Sequence, residues 1–250
     1  MATRSFRVFR GTDRETGALV PYEIDCDTGM VVLDAVHRIQ AEQSSDLACR
    51  WNCKAGKCGS CSAEINGRPR LMCMTRLSDY EPNETITITP MRTFPVVRDL
   101  VTDVSWNYSC NRRLPYFQPR EPDFPDGSWR MQQYEVERPQ EFRKCIECFL
   151  CQDVCHVLRT HAKFDDFVGP AFLIRAAVYE MHPLDTRDRR EFLQHEGGTG
   201  YCNITKCCTE VCPEHIKITD NGIIPLKERV ADKSYDPVRW LLRKLLGRKS

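Results

Sequence analysis

Cysteine is the residue whose number and spacing could do chemistry, with 15 in 250 positions and most of them in tight clusters. The stretch "CKAGKCGSC" and a later thiol place Cys53, Cys58, Cys61 and Cys73 in the order C-x4-C-x2-C…C. That is the plant-type spacing for four thiolates on a 2Fe–2S centre. Gly56 and Gly59 let the backbone fold closely around such a centre and aim N–H groups at its sulfides. A structural zinc site would need two roughly tetrahedral ligand pairs, and only one C-x2-C pair exists here. A Rieske centre needs two histidines on one iron, and no C-x-H pair is present, since His156 directly follows Cys155.

A second cluster, "CIECFLCQDVC", has Cys145, Cys148, Cys151 and Cys155 in the run C-x2-C-x2-C-x3-C. Three thiolates of such a run hold three corners of one cubane, and the fourth serves the other centre of a two-cluster protein. The partner run is "CNITKCCTEVCP", with Cys202, Cys208, Cys212 and Pro213 in register and Thr205 in the second cysteine position. Exchange of the fourth ligands assigns Cys145, Cys148, Cys151 and Cys212 to a 4Fe–4S cluster. Cys155, Cys202 and Cys208 are left for the other site. A corner without a thiolate releases its iron readily, so the expected occupant is a 3Fe–4S cluster with Thr205 at the vacant corner. Cys207 is the rival, able to supply a fourth ligand after rearrangement. Cys26, Cys49, Cys110 and Cys207 remain over, and a buried Cys is by default an ordinary small apolar residue. One zinc site with spare thiols would leave half of the cysteines unexplained.

The elements that must position these thiols fall into two regions. Residues 5–11 and 19–26 have strand character, and "VVLDAVHRIQAEQ" (31–43) spaces Val32, Ala35, Val36 and Ile39 along one helical face, widened by Val31 and Leu33. Asn66-Gly67 between apolar segments signals a hairpin, and "ETITITP" (84–90) alternates as a closing strand. A connecting helix is expected over 95–110, which would put Asp99 and Asp103 on one solvated or domain-docking face. Pro115, Pro119, Pro122 and Pro125 then mark an extended surface crossing. Helix-spaced apolar residues return at 169–182 and 237–250. The basic tail "PVRWLLRKLLGRKS" reads either as a membrane-surface helix or as a domain cap. The expected class is α+β, with a ferredoxin-like domain over 1–105 and a helical domain over 106–250.

Composition narrows the functions. With 36 basic and 35 acidic residues the chain lacks the basic excess of a nucleic-acid binder. The start has no apolar h-region, which with the odd cysteine count argues for a reducing compartment rather than a disulfide framework. No apolar run reaches the ~18 residues of a membrane span. No nucleophile–base pair or phosphate loop is visible, so the expected work is electron conduction.

Three unlike centres in this order resemble the iron–sulfur subunits of succinate dehydrogenase and fumarate reductase, respiratory complex II. The likeness covers nearly the whole chain and includes "CKAGKCGSC", "FPVVRDLVTD", "RKCIECFLC" and "CNITKCCTEVCPEHI". The resemblance implies an N-terminal β-grasp domain and a C-terminal α-helical ferredoxin domain. It implies a flavoprotein partner with covalent FAD, a membrane anchor, and electrons passing through 2Fe–2S, 4Fe–4S and 3Fe–4S to a quinone. "DFVGPAFLIRAA" and "MHPLDTRDRR" are closest to the bacterial fumarate reductase and menaquinone-linked branch, which places the chain peripherally on the cytoplasmic face of the membrane. Succinate dehydrogenase is the expected activity, with fumarate reductase as the reverse alternative and a soluble multicluster carrier as the alternative of another class. One departure bears on the quinone side. His156 stands where many members have Pro, Thr160 where they have Trp, and Asn203 where His is frequent, so quinone or a further relay centre is expected to draw mainly on the anchor.

Overall fold

Strand β1 (Ala2–Arg10) pairs antiparallel with β2 (Ala18–Cys26), and Phe6 lies opposite Tyr22 and Val8 opposite Val20. Along β2 the inward positions are Tyr22, Ile24 and Cys26, the period-two alternation of a half-buried strand. In the computed structural model, which describes residues 2–235, 237, 238 and 241, the first region closes as a five-stranded sheet of order β2-β1-β5-β3-β4. β3 (Ser62–Ile65) and β4 (Arg68–Leu71) form the expected hairpin. Asn66 and Gly67 both take positive φ, 48° and 75°, as a two-residue turn between twisted strands requires. β5 (Ile86–Thr89) runs parallel to β1 and antiparallel to β3. Helix α1 (Val32–Glu42) lays Val32, Leu33, Ala35, Val36 and Ile39 on the sheet, giving a mixed sheet grasping one helix.

The expected helix over 95–110 does not form as such. Val96–Arg98 (β6) and Val101–Thr102 (β7) make a small antiparallel ribbon, and helix α2 begins only at Ser105 and runs to Arg113. The reason is Asp99, which has φ 49° and is buried. Its carboxylate accepts N–H bonds from Gly11 (2.9 Å) and Ala48 (2.8 Å) and faces Arg10 at 3.2 Å. Contacts to residues 11 and 48 overrode the local helical spacing, so Asp99 and Asp103 do not share a helix face.

The proline-rich crossing is extended and largely exposed, as its four prolines require. It is anchored by Arg189, a fully buried guanidinium that donates to the carbonyls of Pro115 (2.8 Å) and Tyr116 (2.6 Å) and pairs with Asp185 and Glu180.

The second region is built from short helices: α3 (Gln133–Gln140), α4 (Leu150–Asp153), α5 (His156–Arg159), α6 (Gly169–Glu180), α7 (Arg190–His195), α8 (Cys207–Glu210) and α9 (Ile224–Tyr235). α6 starts with Pro170 in its first turn, where a missing N–H costs nothing, and buries Phe172, Leu173, Ile174, Ala176 and Ala177. A single π-helical turn, Ile218–Ile223, leads into α9. Apart from residues 237, 238 and 241, the tail 237–250 lies outside the described residues. Two apolar cores result. One is centred on the sheet and α1; the other is centred on α6 and contains or abuts Cys145, Cys151, Cys155, Cys202, Cys208 and Cys212.

Candidate iron–sulfur sites

The first thiol group lies on the loop between α1 and β3. Lys54, Gly56 and Gly59 take positive φ, which curls residues 53–61 around a small volume. The N–H groups of Ala55 and Lys57 both reach the sulfur of Cys53 at 3.3 Å. Cys61 and Cys73 are buried, and the N–H of Met72 bonds the carbonyl of Cys61 at 3.0 Å, fixing the distant thiol beside the loop. Burial opposes ionisation of Cys58, but hydrogen bonds from Ser60 and Cys53 outweigh it and hold that thiol down to about 6. Burial pushes Cys61 up to about 12, with Cys73 against it and the charge of Cys58 adding to the effect. Cys53, Cys58, Cys61 and Cys73 are thus mutual neighbours, as their spacing predicts.

Cys145, Cys148, Cys151 and Cys212 line one apolar chamber together with Ile146, Ala171, Ile174, Pro213, Ile216 and Ile218. Cys212 of the second run therefore lies with three thiols of the first. Burial pushes Cys148 up to about 12 and Cys151 well above the usual thiol range. Such thiols stay protonated on their own and give up the proton only to a metal, which is how buried cysteines bind iron.

Cys155, Cys202 and Cys208 form the third group, near enough to oppose one another's ionisation. Burial sets Cys155 and Cys208 at about 11. Cys207 contributes to the same repulsion, so it sits at this site rather than in a core. Its sulfur is 3.3 Å from the Thr205 hydroxyl, which in turn meets His156 Nε2 at 3.0 Å. Asn203 and Thr205 occupy an exposed loop, and Thr160 is exposed at the end of α5, where its N–H bonds the carbonyl of His156. Cys26 and Cys110 are buried in the two cores, and Cys49 packs beside the first, its thiol pushed up to about 12 by burial.

The two runs adopt the same backbone. Glu147 and Phe149 flank Cys148 with φ of 53° and 59°; Ile204 and Lys206 flank Thr205 with φ of 58° and 63°. A four-residue helix follows each, α4 and α8. Thr205 therefore occupies the backbone position that Cys148 has in the first turn, with a hydroxyl in place of a thiol.

Several contributors carried no signal in the spacing. Thr219, fully buried on the π-turn, places its hydroxyl 3.4 Å from the sulfur of Cys208. π-turns of this kind recur at functional sites. Lys227 on α9 donates to the carbonyls of Thr199 (3.1 Å) and Cys202 (2.7 Å). Between the domains, Asp153 takes the N–H of Thr93 at 2.9 Å, and Arg159 meets Glu64 at 3.0 Å. Burial, opposed by the Thr93 bond and reinforced by the Glu64 charge, pushes Asp153 up to about 7.

The thiol groups fit multinuclear iron centres. Cys145, Cys148, Cys151 and Cys212 share one chamber, and the thiols of all three groups lie on or beside loops with left-handed turns. The comparisons agree. Residues 5–109 match the family described as 2Fe-2S iron-sulfur cluster binding domain, and residues 141–216 match the 4Fe-4S dicluster domain. Fold and site together define a multicentre electron-transfer protein with a β-grasp ferredoxin-like domain followed by a helical ferredoxin domain.

The chain is 35% identical over 202 residues to the fumarate reductase iron-sulfur subunit of Mycobacterium tuberculosis (strain CDC 1551 / Oshkosh), covering 78% of this chain and 79% of that one. It is 29% identical over 223 residues to the succinate dehydrogenase iron-sulfur subunit of Bacillus subtilis (strain 168), covering 83% and 86%. Among solved structures, a chain of the Mycobacterium smegmatis Sdh1 complex in the apo form superposes with a TM-score of 0.90 at 63% identity, over 95% of this chain and 99% of that one. The chain belongs to the iron–sulfur subunits of succinate dehydrogenase and fumarate reductase, and its role is electron transfer.

Proposed function

We propose that this chain is the electron-transfer subunit of a succinate dehydrogenase (succinate:quinone oxidoreductase, EC 1.3.5.1), wired between the FAD of a flavoprotein subunit and a membrane anchor that reduces menaquinone. Cys53, Cys58, Cys61 and Cys73 hold the 2Fe–2S centre in the domain over 1–105. In the domain over 106–250, Cys145, Cys148, Cys151 and Cys212 hold the 4Fe–4S centre, and Cys155, Cys202 and Cys208 hold a 3Fe–4S centre. The chain's part is to space one-electron centres so that a two-electron flavin and a lipid-borne quinone react far apart. Cluster potentials span about −700 to +450 mV according to type and surroundings. The hydroxyl of Thr219, the carbonyl-bound Lys227 and the Cys53 N–H bonds are this chain's means of setting them.

The observation that carries the reading is the shared backbone of the two turns, with Thr205 in the place of Cys148. That geometry supports a three-iron centre at the second turn, on the more exposed side of the domain. His156 and Thr205 line its vacant corner, and Asn203 and Thr160 flank it, facing a quinone or a relay held by the anchor. No helix among the described residues is long and apolar enough to cross a membrane; the reading makes the chain a peripheral subunit on the cytoplasmic face. Electron paramagnetic resonance on the purified complex, with iron and sulfide analysis, tests this. An oxidised-state three-iron signal that vanishes on reduction is expected, with iron content matching one 2Fe, one 4Fe and one 3Fe centre. An additional iron would instead make Cys207 or another group a ligand. A native chain without iron would end the proposal. The fumarate reductase relatives favour a second reading, the same wiring run in reverse. Comparing the two catalytic directions with a menaquinone analogue decides between them.

A further inference from the structure

We infer that the backbone contact between Gly59 and Cys148 is the electron bridge from the 2Fe–2S to the 4Fe–4S centre, with Gly59 the positioning residue for that step. The inference rests on the ligand assignment proposed above. Gly59 lies between two thiols of the first site, Cys58 and Cys61, while Cys148 belongs to the second. A Cβ on Gly59 would fall 2.7 Å from the Cα of Cys148 and 2.9 Å from both its Cβ and its backbone N. Those distances lie far inside van der Waals contact, so the two cluster loops meet only because residue 59 has no side chain. Its φ of 68° independently favours glycine.

The seam is stapled. The hydroxyl of Ser62, the residue after Cys61, lies 2.8 Å from the carbonyl oxygen of Gly59 and 2.9 Å from that of Cys148, in a buried position. A ligand-to-ligand route therefore crosses from the Cys58–Cys61 loop to Cys148 through a few bonds and one contact. The other links between the domains are poorer conduits. Lys57 reaches Glu214 at 2.9 Å, but through the far ends of two long side chains, with the lysine largely exposed. The Thr93–Asp153 and Arg159–Glu64 pairs do not touch the first loop. Tunnelling falls steeply with every through-space gap, so the tightest seam dominates. The step moves one electron, oxidising the 2Fe–2S centre and reducing the 4Fe–4S centre, with no bond made and no proton transferred.

The test uses the assembled complex carrying Gly59→Ala, Ser62→Ala or, as the control that cuts an inter-domain link away from the first loop, Thr93→Ala. Each is mixed with succinate and freeze-quenched, and the 2Fe–2S signal and the downstream cluster signal are followed together. Gly59→Ala is expected to develop the 2Fe–2S signal at the wild-type rate and to pass the electron onward several-fold more slowly. In the fully reduced complex, the relaxation of the 2Fe–2S signal by the neighbouring 4Fe–4S spin should weaken as well, which a merely structural defect elsewhere would not produce. Ser62→Ala should show a smaller delay, and Thr93→Ala none. Onward transfer at the wild-type rate in Gly59→Ala, or an equal delay in Thr93→Ala, overturns the bridge. Should Gly59→Ala lose its 2Fe–2S centre, Ser62→Ala decides: a delay supports the bridge and a wild-type rate overturns it. A wild-type complex lacking either cluster signal would instead strike the ligand assignment, before any variant is compared.

Discussion

The turn at 145–155 and the turn at 202–212 have one backbone and opposite surroundings. In the first, Phe149, Leu150, Gln152 and Asp153 are all buried, and Cys148 is pressed against Gly59 of the other domain. In the second, the equivalent positions are Lys206, Cys207, Thr209 and Glu210, of which Lys206 and Glu210 are exposed, and the corner residue Thr205 is exposed beside His156. Gln152 bonds Asn107 (2.9 Å) and the carbonyl of Val168 (3.1 Å), tying its turn into α2 and α6. The turn at 202–212 leans instead on Thr219 and Lys227 of the C-terminal segment. Under the proposed assignment, the same loop serves as an internal relay where these positions are buried and as an outlet where they are exposed. The side chains around the thiols, rather than the thiols, decide which.

The largest effect is expected from copying the outlet's corner into the relay. Cys148→Thr should remove an iron from the buried centre and leave unmatched space beside Gly59. Succinate-driven quinone reduction should fall to near background while the 2Fe–2S signal persists. Iron analysis and electron paramagnetic resonance check it, and a full complement of iron with normal turnover would break the comparison. The reverse exchange, Thr205→Cys, should be milder. A fourth soft ligand retains an iron at the outlet, so the oxidised-state three-iron signal should disappear and the iron content rise. Turnover should drop because the outlet's potential has moved, while the separate signal of the first centre stays unchanged.

Much of this comparison was legible in the sequence, because cysteine spacing is a local property and the two runs align without gaps. The expected exchange of Cys155 and Cys212 comes from that spacing, while α1 and the Asn66-Gly67 hairpin, whose signals lie within a few residues, form as expected. The failures share one cause. The segment 95–104 has helix-spaced apolar residues, yet Asp99 is claimed by the N–H groups of residues 11 and 48, partners that no local window contains. Arg189, Thr219 and Lys227 were equally silent, since each acts on a backbone carbonyl or a sulfur distant in sequence. Cys207, by default a buried apolar thiol, is instead half-buried with its sulfur 3.3 Å from the Thr205 hydroxyl, a contact set by the fold of the turn rather than by spacing.

A third prediction tests that account in the first domain. Asp99→Ala leaves Arg10 facing a hole and strips a partner from two N–H groups, removing one side of a largely buried ion pair, a loss of about 3 kcal/mol. Thermal unfolding should shift down accordingly, with both turns of the helical domain keeping their iron. Helix formation over 95–104 in this variant would show that Asp99, rather than the ribbon's β-branched residues, holds the segment extended. An unchanged midpoint would mean that the ribbon needs no such tether.

The smallest effect concerns acid and falls on the segment just after α6. Burial, with Arg143 adding to it, holds the pKa of His182 below its ordinary value, and its Nδ1 accepts the N–H of Leu184 at 3.2 Å. A histidine depressed in the folded state favours the neutral ring. The stability it contributes is present above the unfolded value of about 6.5 and is lost as pH falls through the lower, folded one. Protonation would also turn the accepting nitrogen into a donor facing a donor. His182 packs edge-on against Phe117 at 5.0 Å, so the segment that should loosen first is the proline-rich crossing. Proteolysis within 115–132 should therefore quicken between neutral and mildly acidic pH, and His182→Asn should flatten that dependence while leaving the iron signals intact. Acid should instead firm the relay turn: burial pushes Asp153 up to about 7, so the cost of its buried charge is relieved as pH falls from there towards its ordinary value of 3.8. A parallel loosening there would show that the two turns do not differ in the way their surroundings imply.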